Sequence, residues 1–152
     1  MANSAGGYYP PVGFHFKVEF VGLGNDNDTR FQSVAGLNME YDVETFKEGG
    51  ENRFEHKLPG RTKYADLSLK RGMLKDSSVI EWVTGILRDR DFVNYKPATV
   101  HVHLLNEKHE TLRLWEFIDA WPKKWTISDL NAQENSLVVE TLDLVFKYFK
   151  VK

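Results

Sequence analysis

The sequence has no cysteine, no basic cluster and no apolar run long enough to cross a bilayer, and each lack removes a class of function. Without cysteine there is no thiolate nucleophile, no thiolate zinc site and no disulfide, a usage that fits folding in a reducing cytoplasm. Lysine and arginine number 20 against 22 acids, a formal net charge of −2, and no segment is strongly basic. A protein that holds nucleic acid by counterion release carries a basic face, so dedicated nucleic-acid binding is not expected. No stretch has the length of a membrane span. The opening MANSAGGYYPPVG has neither the positive start nor the apolar core of a secretory signal, so neither an anchor nor a leader is expected. Catalytic signatures are also missing. There is no nucleophile elbow, Walker loop or H-E-x-x-H. Gly22-Leu23-Gly24 runs into Asn25-Asp26 without the third glycine and helix start that a dinucleotide fold requires. Neither an enzyme nor a cofactor site is expected.

What is present is an ordinary globular composition, 41% apolar and 13% aromatic, over 152 residues. That length is one domain with a sizeable core. Met1–Gly13 reads as a flexible arm, and 14–152 as a single domain. Phe14, Phe16, Val18 and Phe20 alternate with His15, Lys17 and Glu19, the period of a half-buried strand. Gly22–Asp28 reads as a loop. Leu37, Met39, Tyr41 and Val43 share one parity, and Glu40, Asp42 and Glu44 share the other. Arg53–Leu58 also alternates, and pairing of these two segments would set the acids against Arg53 and Lys57. Ala65–Arg71 is a short strand with Leu67 and Leu69 inward. Then the period changes: Val79, Trp82, Val83, Ile86 and Leu87 form one stripe of a helix around 77–89, with Ser78 and Glu81 spaced as a capping box. Gly85 inside it predicts close packing against a sheet. Val100, Val102 and Leu104 follow, alternating with His101 and His103. Thr111–Trp121 changes phase between Leu112/Leu114 and Trp115/Phe117, the mark of a β-bulge or of a strand covered on both faces. Trp121-Pro122-Lys123-Lys124-Trp125 reads as a rigid crossing, Ser128–Asn131 as a short helical turn, and Leu142, Leu144, Phe146 and Tyr148 as the inward side of a last strand. The fold class is mainly β, an antiparallel sandwich or barrel with one packed helix.

Three features invite chemistry. His101 and His103, two apart on a strand, point the same way and begin a metal site, but no third ligand stands at a diagnostic spacing. The plain reading is two partly exposed histidines, and no metal is assigned. Glu40, Asp42 and Glu44 line one strand face rather than two walls of a cleft, which fits a solvated surface better than paired catalytic carboxylates. The loop Glu48-Gly49-Gly50-Glu51-Asn52 is looser and more polar than a tight hairpin needs, the character of a contact loop. Four tryptophans also leave open a ligand-binding barrel with a closed apolar pocket.

The run EGGENRFEHKLPGRTKYADLSLKRGM, the helix with Trp82, the WPKKW segment and the ending SLVVETLDLVFKYF, together with PPVGFHFKVEF and FQSVAGLNMEY, resemble in order and spacing the inner-tube proteins of contractile phage tails and extracellular contractile injection systems. The resemblance covers nearly the whole chain. It implies a structural subunit that joins in hexameric rings, stacked into a hollow, self-assembling tube for cargo delivery. The partners it implies are further copies of the chain, a contractile sheath protein, baseplate or hub and cap proteins, and protein cargo in the lumen. The chain would be made in the cytoplasm and then built into a phage-tail-like particle. By position, an extended loop around 47–59, with Lys47 to Arg53 at its tip, would touch a neighbouring ring or subunit. The face of Glu40, Asp42 and Glu44 would line the lumen. A tail tube of a true phage or prophage, and a small-molecule-binding β-barrel, are the alternatives.

Overall fold

A computed structural model describes residues 14–23, 31–50, 53–74, 77–133 and 138–152. The predicted arm Met1–Gly13, most of the Gly22–Asp28 loop, and Glu51 and Asn52 lie outside them. Nine strands and one helix are present among the described residues: β1 His15–Phe20, β2 Ser33–Ala35, β3 Met39–Phe46, β4 His56–Tyr64, β5 Leu67–Gly72, α1 Ser78–Leu87, β6 Ala98–Leu105, β7 Thr111–Ile127, β8 Val139–Val145 and β9 Tyr148–Val151. Every pairing is antiparallel. The mainly β class with one helix is as the sequence predicts.

Seven strands form one sheet in the order β1-β6-β7-β8-β5-β2, with β9 also on β7. The 17-residue β7 is long enough to serve two halves of that sheet. Its first half pairs with β6 and β9, and its second half pairs with β8. Between them Asp119 takes a positive φ of 51°, and the β6 register slips between Val100↔Phe117 and Ala98↔Ala120. One extra residue on one strand is a β-bulge, which bends the strand and flips side-chain parity. Phe117 therefore points into the core before the bulge, and Ala120 and Pro122 after it. The partner strand breaks at the same level, where Phe146 and Lys147 separate β8 from β9. A bulge does lie in the expected 112–117 span, where Leu104↔Arg113 gives way to Leu105↔Thr111 and leaves Leu112 the extra, exposed residue; the one at 118–119 is a second. Phe149 rather than Tyr148 is the buried residue of β9. The WPKKW segment is not a separate crossing but the continuation of this bent strand, and Ser128–Asn131 forms no helix.

The bend folds the two halves over a shared core. Val18, Phe20, Val100, Val102 and Phe117 enter from one half, and Leu67, Leu69, Leu142 and Leu144 from the other. Each such side chain contributes on the order of 1.5–3 kcal/mol by burial. Helix α1 adds Val79, Trp82, Val83 and Ile86, and the Trp82 indole meets the Phe20 ring edge-on at 5.9 Å while its N–H donates to the Lys96 carbonyl at 2.8 Å. The cap is Ser77, one residue earlier than the spacing predicts, because its hydroxyl accepts from the Ile80 N–H at 3.2 Å. Leu87 falls off the buried stripe, and Gly85 abuts the Tyr95 ring, where a Cβ would collide, rather than a sheet.

Among the described residues one ion pair is buried. Arg71 on β5 faces Glu140 on β8 in register; Arg71 Nε donates to Glu140 Oε2 at 2.9 Å, and its Nη2 donates to the Ser77 hydroxyl at 2.8 Å. The two side chains are 3% and 5% exposed. Removing one partner of such a pair leaves the other charge desolvated without its counterion, a loss of about 3–5 kcal/mol. Glu140→Ala is expected to lower unfolding free energy by that order in urea titration, and a change under about 1 kcal/mol would show that the pair behaves as a solvated one.

Candidate assembly surface

Strands β3 and β4 form a separate two-stranded ribbon between β2 and β5. Because β2 and β5 are themselves paired, the ribbon extends that hairpin outward from the sheet. Two features fix its root. Gly36 sits at φ +97° with its Cα against the Asp66 carbonyl, so close that a Cβ would overlap the oxygen. Tyr64, at the other strand's root, packs edge-on against Phe146 and Phe149 at 5.5 and 5.2 Å. Beyond that anchor the strands pack chiefly on each other.

The pairing differs from the expected one in a telling way. Glu40 lies opposite Lys63, Glu44 opposite Leu58, and Lys57 opposite Thr45. A register shift between Tyr41 and Val43 moves β4 by one residue, so Lys57 falls on the face away from the acids. Asp42 pairs with Lys63 instead, and that carboxylate is the main reason the Lys63 ammonium is held above its ordinary range. β4 also runs straight through Pro59 and Gly60, so the expected 47–59 loop narrows to the residues between Phe46 and His56. Within it Lys47 pairs with Glu55 at 3.3 Å and Glu48 with His56 at 3.4 Å, while Gly49 and Gly50 make the turn with Gly50 at φ +95°. Arg53 is exposed.

The two faces of the ribbon differ in chemistry. Directly opposed residues of an antiparallel pair share a face, so Met39, Tyr41, Val43 and Thr45 lie on one side with Tyr64 at the root, Thr62, Pro59 and, toward the tip, Lys57. Glu40, Asp42 and Glu44 lie on the other with Lys63 and, toward the tip, Leu58 and Phe46. The common face of the three acids is therefore as expected. The apolar face is not covered: Met39, Tyr41 and Val43 are 50%, 64% and 58% exposed. Contiguous apolar surface of this kind marks an interaction site. Alternation alone could not reveal this, since it gives which residues share a side but not whether anything covers that side.

His101 and His103 point out from β6, half-buried on the side opposite Val100 and Val102. Across the β1–β6 pairing Glu19 lies opposite His101, and across β6–β7 so does Glu116. The fold thus brings carboxylates from residues 19 and 116 to a histidine pair that stands alone in the sequence. Glu19 is held below its usual carboxyl range chiefly by a hydrogen bond from Lys17, and Glu116 chiefly by one from Lys152.

Two spaces lie against the described residues. A void of about 10 Å³ lies beside Arg71 and Trp125. The larger space, about 290 Å³, is an open recess lined by Phe14 and Phe16 on one side and Val34 and Leu37 on the other. It is the seam where β1 and β2, the two edges of the sheet, approach each other. No described helix is long and apolar enough to cross a membrane.

Residues 12–150 match the family model described as T4-like virus tail tube protein gp19. The chain belongs to the T4-like tail tube protein family. It is a tail tube subunit, and the tube reading is supported over a ligand-binding barrel. Among solved structures, a chain of the anti-feeding prophage (AFP) baseplate, 6-fold symmetrised, is 28% identical with a TM-score of 0.80, covering 95% of this chain and 96% of that one. A chain of the PVC extracellular contractile injection system, in its sheath–tube complex, is 22% identical with a TM-score of 0.77 over 95% of this chain and 93% of that one. A chain of the AFP tube-terminating cap is 23% identical with a TM-score of 0.78 over 99% and 96%. Among curated proteins no sequence match is found.

The root of the tail tube subunit's ribbon yields a direct test. Gly36→Ala places a Cβ against the Asp66 carbonyl in a left-handed conformation, a strain of about 1–3 kcal/mol. A fall of several degrees in melting temperature is expected, whereas Gly49→Ala, with open space around it, leaves melting unchanged.

Proposed function

We propose that this tail tube subunit assembles into hexameric rings that stack as the inner tube of a contractile injection particle, with the β3–β4 ribbon docking through its apolar face on an adjacent copy. The observation that carries this reading is the exposure of Met39, Tyr41 and Val43 together on a ribbon with no core of its own. An isolated two-stranded ribbon is marginal in water, so a second chain that covers one face stabilises both the ribbon and the contact. The sheet edges β1 and β2 supply unpaired backbone groups for further contacts, and edge pairing within a closed ring removes them. Six-fold symmetry is supported by the 6-fold symmetrised baseplate that contains the 28% identical chain.

Within that tube the loop tip, Lys47 to Arg53, reaches a neighbouring subunit or ring. Gly49 and Gly50 let it conform, and Glu51 and Asn52 add polar groups. The face of Glu40, Asp42 and Glu44, turned away from the docking side, lines the lumen. Three carboxylates outnumber the Lys63 and Arg61 cations on it, so the face is weakly acidic, with Phe46 and Leu58 exposed toward its tip. A sheath outside and baseplate and cap proteins at the ends complete the particle. The subunit is a structural element with no catalytic role, made in the cytoplasm before incorporation.

Negative-stain microscopy over a concentration series tests the docking face. Wild-type protein is expected to form rings or tubes at the higher concentrations. Tyr41→Asp and Val43→Asp are each expected to raise the assembly threshold at least ~10-fold, since burying an unpaired charge costs more than the ~1.4 kcal/mol that such a shift represents. Equal assembly of Val43→Asp and wild type would exclude the apolar face as the contact. The lumen assignment has its own test, made clean by the absence of cysteine. Glu44→Cys in assembled tubes is expected to react with a small maleimide and to resist one carrying a bulky polymer. Free access of the polymer along the tube would place Glu44 on the outer wall.

A further inference from the structure

The histidine pair on β6 has the geometry of a metal centre whose supports are already in place. Lys17 engages Glu19 through Oε1, which leaves Oε2 facing both imidazoles. His103 Nε2 lies 3.4 Å from that oxygen and His101 Nδ1 lies 4.0 Å from it. Tetrahedral ligands about 2.0–2.2 Å from a zinc ion stand roughly 3.3–3.6 Å apart, so the three atoms close on one ion with small side-chain movements. The far nitrogen of each ring is also engaged. His101 Nε2 is 3.1 Å from Glu116 Oε2, and His103 Nδ1 is 3.3 Å from the Thr111 hydroxyl. A proton on each of those outer nitrogens leaves the inner lone pairs aimed toward Glu19. Metal-bound histidines are held in this way, with the second ring nitrogen donating to a carboxylate or another oxygen that fixes tautomer and orientation. Isolated surface histidines have no need of it.

We propose that Glu19, His101 and His103 bind one divalent transition-metal ion of the zinc type, with Glu116 and Thr111 orienting the imidazoles and a water molecule completing the coordination. Two nitrogens and one carboxylate oxygen suit zinc, cobalt or nickel rather than calcium or magnesium, which take all-oxygen shells. The ion would clip β1, an edge strand, onto β6 across a separation of more than eighty residues. It would so rigidify an edge of the subunit. Neither the tube reading nor the ribbon contact depends on it.

The test is titration of the untagged full chain with Zn²⁺ by calorimetry, and with Co²⁺ by visible absorption. One ion per chain is expected, with a Co²⁺ spectrum of low-coordinate mixed nitrogen and oxygen ligation. His103→Gln and Glu19→Gln, checked for an unchanged circular dichroism spectrum, are each expected to weaken binding at least ~10-fold. Glu116→Gln is expected to weaken it by about 10–100-fold through the His101 orientation. A second histidine pair supplies the control, since the rings of His15 and His109 lie 5.3 Å apart. The proposal is overturned by absence of saturable one-to-one binding, by an affinity that survives His103→Gln, or by a loss of binding in His15→Ala in place of the β6 variants. Should a β6 variant fail to fold, the Co²⁺ spectrum of the unaltered chain decides: an octahedral, water-like spectrum overturns the site.

Discussion

Strand β7 must serve two halves of one sheet at once, and the bulge at Ile118–Asp119 is how it does so. Before the bulge its inward residue is Phe117, and after it Ala120 and Pro122. Without the extra residue, one half or the other would present its polar side to the core. β8 and β9 break at the same level, so the pair bends as a unit and folds the β6 side over the β5 side. Helix α1 then fills the opening with Trp82, and the Arg71–Glu140 pair links β5, β8 and, through Ser77, the start of α1.

That closure consumes the apolar faces of seven strands and leaves β3 and β4 outside it. A ribbon of two strands has two faces and no interior. Its acidic face is at home in water, but Met39, Tyr41 and Val43 are not. The sheet and helix thus close on a core of their own while the ribbon does not, and the proposed docking on an adjacent copy supplies the cover it lacks. A fixed root makes the arm a directed one: Gly36 allows the sharp departure from β2, and Tyr64 wedges the return strand against Phe146 and Phe149.

How far the sequence could be read follows from which forces are local. The helix was legible because Val79, Trp82, Val83 and Ile86 recur on one stripe, and strands β1, β5 and β6 because their alternation meets a real core. The capping residue was displaced by one, since Ser77 and Ser78 differ only in backbone geometry. Parity failed wherever a bulge intervened, at Leu112, Tyr148 and Lys57, because an inserted residue leaves no mark on composition. The acids of β3 were rightly grouped, yet their cation proved to be Lys63, as the register of a long ribbon depends on an irregularity in β4. The His101–His103 site was half visible. Its carboxylates arrive from β1 and β7, and only the sheet order brings them there.

Everything proposed for the ribbon rests on its apolar face being an interface between copies of this chain. A cryo-EM reconstruction of the assembled tube, at a resolution that traces residues 39–64, addresses it most directly. Met39, Tyr41 and Val43 are expected to be buried against a neighbouring subunit, with Glu40 and Glu44 facing the lumen. A tube in which those three apolar side chains face solvent while the contacts lie elsewhere would contradict it.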